Sequence, residues 1–272
     1  MITAGTRVAA VIGSPVRHSL SPALHNAAFA QLGLNWVYLA FEVAPGDAVA
    51  ALNAMRVLGF GGLSVTMPHK EAVADAVDAL DPAARALRSV NTVVPAPDGS
   101  LIGYSTDGEG LIASLAGAGV EVVDRTVCVL GGGAAARAIC RALACAGAAR
   151  VVVVNRTPAA AEVAAALAVS DGVAVGLVGT MRDVADADIV INATSVGMGS
   201  NELPCDPALL RAGQVVADIV YHPRETELLR AARAAGAVAI EGLGMLVHQA
   251  ALQQQLWHGA LPDVAVMAAA VA

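Results

Sequence analysis

Val127-Cys128-Val129-Leu130-Gly131-Gly132-Gly133-Ala134-Ala135-Ala136-Arg137 passes from an apolar run through three glycines into an alanine-rich stretch. A short buried strand, a tight turn and a helix start fit that order. The spacing matches G-x-G-x-x-A. Gly131 permits the turn, and Gly133, beside Gly132, Ala134 and Ala135, lets backbone amides approach a pyrophosphate at the positive end of the helix. Glycine turns between strand and helix are common, so the motif alone decides little; its place inside a strand-helix-strand unit makes nucleotide binding the favoured reading. An NAD site usually carries Asp or Glu about 20 residues further on, to accept from the ribose hydroxyls. Asn155-Arg156-Thr157 stands there instead. Arg156 offers a planar cation to a 2′-phosphate, Asn155 and Thr157 add donors, and NADP is favoured over NAD.

Around that motif the grammar is that of a doubly wound parallel sheet. Thr126 to Leu130, Val151 to Asn155, Asp188 to Ala193, Val215 to Asp218 and Val238 to Glu241 read as short apolar strands separated by helices. The first hundred residues form a different α/β layer. An apolar run from Arg7 to Ile12 leads to His18-Ser19-Leu20-Ser21-Pro22, where Ser21 is placed to cap a helix and Pro22 to occupy its first turn. That helix stops at Gly33. Trp36 to Val43 reads as a strand, Asp47 to Leu58 as a helix closed by Gly59, and Gly62 to Val65 as a strand leading into a helix from Lys70 to near Leu80. Val90 to Pro95 and Leu101 to Tyr104 flank the turn Pro97-Asp98-Gly99. A helix from Gly110 to Ala118 bridges to the second layer. The segments Met245 to Trp257 and Val264 to Ala270 are helical and are expected to fold back onto the first.

At 272 residues the chain favours two compact units over one, and therefore a cleft. Hydrophobic residues make up 57% and charged residues 14%, which argues against disorder. Gly, Asp, Arg or Pro interrupts every apolar run before the length of about 20 residues needed to span a bilayer. With no signal core near Met1, a soluble cytoplasmic protein is expected. The net charge of -7 and the lack of any Lys/Arg block exclude the electrostatic footprint of a nucleic-acid binder, leaving small molecules as partners. Cys128, Cys140, Cys145 and Cys205 form no C-x-x-C pair and the six histidines no ligand spacing, so no metal is expected.

Two charged residues follow strands in the first layer. Lys70 stands beyond Gly62 to Val65, and Asp107 ends Ser105-Thr106-Asp107. Most lysines are solvated surface groups. If the fold brings this one and Asp107 together in a cleft, they make a proton-transfer pair for a nicotinamide-linked reaction.

The chain resembles the shikimate dehydrogenase family through motifs in order and at suitable spacing. They are His18-Ser19-Leu20-Ser21-Pro22, Ser64-Val65-Thr66-Met67-Pro68-His69-Lys70, Val90-Asn91-Thr92, Ser105-Thr106-Asp107, Asn155-Arg156-Thr157, Asn192-Ala193-Thr194-Ser195-Val196-Gly197-Met198, Asp218-Ile219-Val220-Tyr221 and Gly242 to Gln249. The resemblance implies NADP-linked reduction of 3-dehydroshikimate to shikimate, a step toward chorismate and the aromatic amino acids. It implies a substrate domain of residues 1–107 and 243–272 and a Rossmann-like NADP domain of residues 108–242. Lys70 and Asp107 then correspond to the catalytic pair. Ser19 and Ser21 correspond to carboxylate binders, and Thr66, Asn91, Tyr221 and Gln249 to further substrate partners. Thr194 and Ser195 correspond to positions lining the cofactor cleft or shaping the strand-to-loop turn, and Ile219 and Gly242 to positions that approach the nicotinamide through their backbones.

Two departures bear on substrate and cofactor. Ser64 and Ser105 stand where the family usually has Asn, and Pro158, Ala159, Ala160 and Ala161 follow Thr157 where a second basic residue often lies. A related dehydrogenase acting on quinate or an amino analogue, or using NAD, is the competing expectation. A non-catalytic nucleotide-sensing module is a third, disfavoured by retention of both Lys70 and Asp107. Monomer and homodimer are both compatible with the sequence.

Overall fold

The computed structural model describes residues 2–169 and 175–272. The chain divides into two compact units, residues 1–106 with 247–272 and residues 107–246. The sequence-derived boundaries lie at 107 and 243. Asp107 and residues 243–246 therefore fall in the second unit.

In the first unit, β1 (Arg7–Gly13), α1 (Ser21–Gln31), β2 (Trp36–Glu42), α2 (Ala48–Leu58) and β3 (Gly62–Val65) follow one another. After them come α3 (Lys70–Ala76), β4 (Ala79–Leu80), α4 (Pro82–Leu87), β5 (Thr92–Pro95) and β6 (Leu101–Tyr104). The sheet order is β2-β1-β3-β5-β6-β4. β1 runs parallel to both β2 and β3, whereas β5 is antiparallel to β3 and β6. β1 and β3 are central, and their buried runs reflect layers on both faces.

Three local expectations are corrected in this unit. Ser21 does not cap α1: Leu20 is the cap residue, already helical at φ -81 and ψ -10, and no side chain caps the helix. Ser19 does the turn-making, its Oγ accepting from the Ser21 amide at 3.2 Å. The helix from Lys70 stops at Ala76 rather than near Leu80, because Ala79 and Leu80 pair with Ile102 and Gly103 of β6. Asp78 locks that crossing by accepting from the Leu101 amide at 2.7 Å and from Arg56 at 2.7 Å. A Cβ on Gly103 would meet Val90 at 2.5 Å and Leu80 at 3.0 Å, so only glycine leaves room for the added strand. The third correction is α4 itself, capped by Asp81, whose carboxylate accepts from the Ala84 amide at 2.7 Å and the Ala83 amide at 3.2 Å.

The second unit begins with α5 (Asp107–Gly117), so Asp107 opens a helix a turn earlier than the expected start at Gly110. β7 (Thr126–Leu130), α6 (Ala134–Cys145), β8 (Arg150–Val154), α7 (Pro158–Leu167) and β9 (Val175–Val178) follow. Then come α8 (Asp183–Asp186), β10 (Ile189–Asn192), a 3-10 turn at Pro207–Leu209, β11 (Val215–Asp218), α9 (Glu227–Ala234) and β12 (Val238–Ile240). All pairings are parallel, in the order β12-β11-β10-β7-β8-β9. The five expected strands are present within a residue or two, and the edge strand β9 is additional. Its Gly176 hides it from a pattern search, yet it is required: a Cβ there would sit 1.9 Å from the Ala165 carbonyl oxygen of α7. Valine and isoleucine from β7, β8 and β10 pack on Ile139 and Leu143 of α6 to form the core of the unit.

α10 (Leu243–His258) starts in this unit and ends in the first, followed by α11 (Val264–Ala269). Trp257 anchors α10 on the first sheet. A Cβ on Gly62 would meet its indole at 2.4 Å, and its Nε1 donates to the Val93 carbonyl at 3.1 Å. No described helix is long and apolar enough to cross a membrane.

Candidate functional site

In the first unit, Asn91 and its neighbour Val90 tie the Thr106 loop, the start of α3 and, through Thr106, α10 to one another. Asn91 lies just before β5 and is 2% exposed, so its carboxamide must be paired or cost about 1–3 kcal/mol. Its Oδ1 accepts from the Thr106 amide at 2.9 Å and from Thr92 Oγ1 at 2.8 Å, while its Nδ2 donates to Thr106 Oγ1 at 3.0 Å. Thr106 also donates to the Gln249 carbonyl at 3.2 Å, which brings α10 into the cluster. One residue earlier, the Val90 amide donates to the Lys70 carbonyl at 3.0 Å. Positions 90 and 91 thus hold the backbone of Lys70 and the residue that precedes Asp107.

Thr66 is placed beside them from β3. Its amide donates to the Ile12 carbonyl and its carbonyl accepts from the His69 amide, both at 3.0 Å. Gly13 makes the space: a Cβ there would meet Thr66 Cγ2 at 2.4 Å. Ser19 and Ser21 lie in the loop and first turn of α1, both half-buried. Lys70 is half-buried at the start of α3. Asn91 and Gln249 are buried, as is Ser105, which precedes Thr106 in sequence.

Ser64 faces inward. Tyr38 donates its hydroxyl to Ser64 Oγ at 2.6 Å, and Ser64 donates to Gln253 Oε1 at 2.6 Å. Burial, only partly offset by its bonds to Ser64 and Ser21, pushes the Tyr38 phenol far above the ordinary range, so it stays protonated. The Tyr38 ring stacks on His25 at 4.1 Å, and burial lowers that imidazole to about 3, keeping it neutral. Tyr38 and Gln253 were not recognised in the sequence. The available signal was the i,i+4 spacing of Gln249 and Gln253 on one helix face.

In the second unit the glycine turn leads straight into a helix start that no side chain caps. Gly131 has φ +122, and a Cβ there would lie 2.9 Å from the Ala193 carbonyl oxygen. Gly133 caps α6 with no side-chain hydrogen bond, leaving the first amides of that helix, at Ala134 and Ala135, for an anion. A Cβ on Gly133 would meet nothing within 4 Å, so the approach is open. Gly132 instead packs against Ala160 of α7, whose backbone a Cβ would meet at 2.9 Å.

Asn155-Arg156-Thr157 follows β8, the neighbour of β7 in the sheet. Asn155 Nδ2 donates to the Thr157 carbonyl at 3.0 Å, which folds the turn, and Arg156 is exposed at its tip with no carboxylate in the turn. Thr194 sits against Gly131, its Cγ2 3.1 Å from where a Cβ would be, and Ser195 beside it is exposed. Ile219 and Gly242 are also brought together: a Cβ on Gly242 would lie 2.6 Å from the Ile219 carbonyl oxygen. Asp218 shapes that strand end by accepting from Asn192, Thr226 and the Val220 amide at 2.9, 2.7 and 3.0 Å. Burial raises its carboxyl above the usual range despite those bonds. Tyr221 follows, half-buried, in this second unit.

Cys128 and Cys140 are buried in this unit, and burial pushes both thiols up to about 12, which removes them from chemistry.

Three family profiles match the chain. That of the shikimate dehydrogenase substrate binding domain covers residues 11–93, that of shikimate / quinate 5-dehydrogenase residues 114–198, and that of the shikimate 5'-dehydrogenase C-terminal domain residues 242–272. A shikimate dehydrogenase (NADP(+)) of Moorella thermoacetica is 47% identical over 98% of this chain and 92% of its own length. Among solved structures, a shikimate dehydrogenase in complex with NADP+ superposes with a TM-score of 0.92 at 38% identity, covering 100% of this chain and 96% of the other. The shikimate 5-dehydrogenase of Thermus thermophilus, in complex with NADP(H) and shikimate, gives 0.90 at 35% identity over 97% and 98%.

Proposed function

Because the chain belongs to the shikimate dehydrogenase family, we propose that it catalyses the reversible, NADP-linked reduction of 3-dehydroshikimate to shikimate. The observation that carries this reading is the pairing of two polar sites of complementary chemistry in one chain. A cluster built on Asn91 suits a polyhydroxylated carboxylic acid, and an open glycine turn with Arg156 suits a phosphorylated dinucleotide.

Residues of the first unit bind the acid. Ser19 and Ser21 offer hydroxyls to its carboxylate at the start of α1, where the helix end favours an anion. Thr66, Asn91 and Gln249, with Tyr221 of the second unit, supply donors and acceptors for its hydroxyls. The amides at the start of α6 hold the pyrophosphate, with Gly131, Gly132, Gly133, Ala134 and Ala135 shaping the approach. Asn155, Arg156 and Thr157 hold the adenosine 2′-phosphate; Thr194, Ser195, Ile219 and Gly242 line the nicotinamide end. When bound, the reduced nicotinamide supplies a hydride to the ketone carbon.

As the carbonyl electron pair moves onto oxygen, the Lys70 ammonium gives that oxygen its proton, and in the oxidation direction neutral Lys70 takes it back. Asp107 stabilises the ammonium, orients it and accepts from a substrate hydroxyl. Lys70 is thus the proton donor and Asp107 its orienting partner. On this reading residues 1–107 and 243–272 are the substrate domain and 108–242 the NADP domain, in a cytoplasmic enzyme that is monomeric or homodimeric.

The test is product identity. Incubation of the purified chain with shikimate and NADP+ is expected to yield 3-dehydroshikimate and NADPH in equal amounts. No turnover at saturating concentrations of both would remove the assignment.

A further inference from the structure

The hydrogen bonds beneath the Asn91 cluster run in one direction. Tyr38 donates to Ser64 at 2.6 Å, Ser64 to Gln253 Oε1 at 2.6 Å, and Gln253 Nε2 to Gln249 Oε1 at 2.9 Å, with a second bond to the Asn91 carbonyl at 3.3 Å. All five residues are nearly sealed from solvent: Tyr38 is 1% exposed, Ser64 5%, Asn91 2%, Gln249 8% and Gln253 2%. We propose that Gln253 is a positioning residue of the substrate pocket, which together with Ser64 fixes the Gln249 carboxamide with its NH2 group as the donor offered to substrate.

The argument is one of donor and acceptor bookkeeping. The Ser64 hydroxyl has a single hydrogen. Because Tyr38 spends its own hydrogen on Ser64, the Ser64 hydrogen goes to Gln253 Oε1, and the Gln253 NH2 must face Gln249 and Asn91. Turning Gln253 over would leave the Asn91 carbonyl facing another oxygen at 3.3 Å and the Ser64 hydrogen facing an NH2 group at 2.6 Å, donor against donor. Gln249 is therefore held oxygen-inward and NH2-outward, the polarity needed to donate to a carboxylate or a hydroxyl oxygen. Chained bonds of this kind in a dry interior reinforce one another.

The same geometry accounts for Ser64. A serine at a position that usually carries Asn in the family removes a carboxamide, and the Gln253 side chain, arriving from α10, places a carboxamide against that serine. Positions 64 and 253 act as a pair. A Gln buried this deeply is costly unless its carboxamide is paired, since an aliphatic residue of similar length would pack there without any polar group to satisfy.

This inference rests on the shikimate reading of the site, so turnover of the natural chain is measured first. Its absence overturns that reading and this one with it. With turnover present, Gln253→Leu is expected to raise the KM for shikimate about tenfold, with kcat changed less than about threefold and KM for NADP+ unchanged. Gln253→Ala should behave likewise, and adding Ser64→Asn to it should bring the shikimate KM back to within about threefold of the natural value. Should Gln253→Leu fail to fold, as judged by thermal melting and NADP+ binding, the comparison of Gln253→Ala with Ser64→Asn/Gln253→Ala decides. An unchanged shikimate KM in a folded Gln253 variant, or a double variant no better than Gln253→Ala alone, overturns the inference.

Discussion

Lys70→Ala is expected to lower kcat for shikimate oxidation by about a thousandfold, the scale at which a positioned proton-transfer group contributes, while the Kd for shikimate changes less than about fivefold. The split follows from where Lys70 is held. Its backbone is fixed by the Val90 amide, next to the Asn91 cluster proposed to bind the substrate hydroxyls, so truncating the side chain leaves that cluster standing. On the proposed role, what is lost is the group that meets charge developing on the carbonyl oxygen, an interaction made in the transition state and not in the ground state. Stopped-flow measurement of single-turnover rates, with shikimate affinity read by calorimetry, separates the two. A variant that turns over normally would remove Lys70 from the chemistry, and one that loses both equally would make it a binding residue.

Arg156→Ala is expected to raise the KM for NADP+ by about 10- to 100-fold, the worth of a lost charge-assisted phosphate contact of about 1.5–3 kcal/mol, and to leave the KM for NAD+ nearly unchanged. Arg156 is exposed at the tip of a turn folded by Asn155, and Pro158 to Ala161 contribute no second cation, so on the proposed role one side chain carries most of the discrimination. Calorimetric binding of 2′,5′-ADP against 5′-AMP reads the same preference without turnover. Equal losses for NADP+ and NAD+ would place Arg156 away from the 2′-phosphate.

The glycine turn and the five strands around it were legible because central parallel strands are buried on both faces and read as unbroken apolar runs. β9 was not, since an edge strand is half-exposed and its Gly176 answers to the α7 backbone, a contact with no local signature. α3 was read a turn too long because Val77 and Leu80 continue a helical pattern, while the competing partner, β6, lies over twenty residues downstream. The Asp81-Pro82 pair that opens α4 is a plain start signal, lost only because the preceding helix was carried into it.

Among site residues of the first unit, Thr106 and, through it, the Gln249 backbone are tied to Asn91, and the Lys70 backbone to Val90 beside it. The inward turn of Ser64 was out of reach, because its partners Tyr38 and Gln253 are 26 residues before it and 189 after it. A glutamine among several on one helix does not announce what it bonds across the fold. Ser21 shows the reverse: the Ser-Pro pair is a strong capping signature, and the helix takes Leu20 as its cap while Ser19 satisfies the Ser21 amide.

Reaction type, substrate and cofactor meet in one experiment, a grid of steady-state nicotinamide absorbance assays with shikimate or quinate against NADP+ or NAD+. Shikimate with NADP+ is expected to give the highest kcat/KM of the four combinations. A higher value for quinate, or for NAD+, would contradict the account.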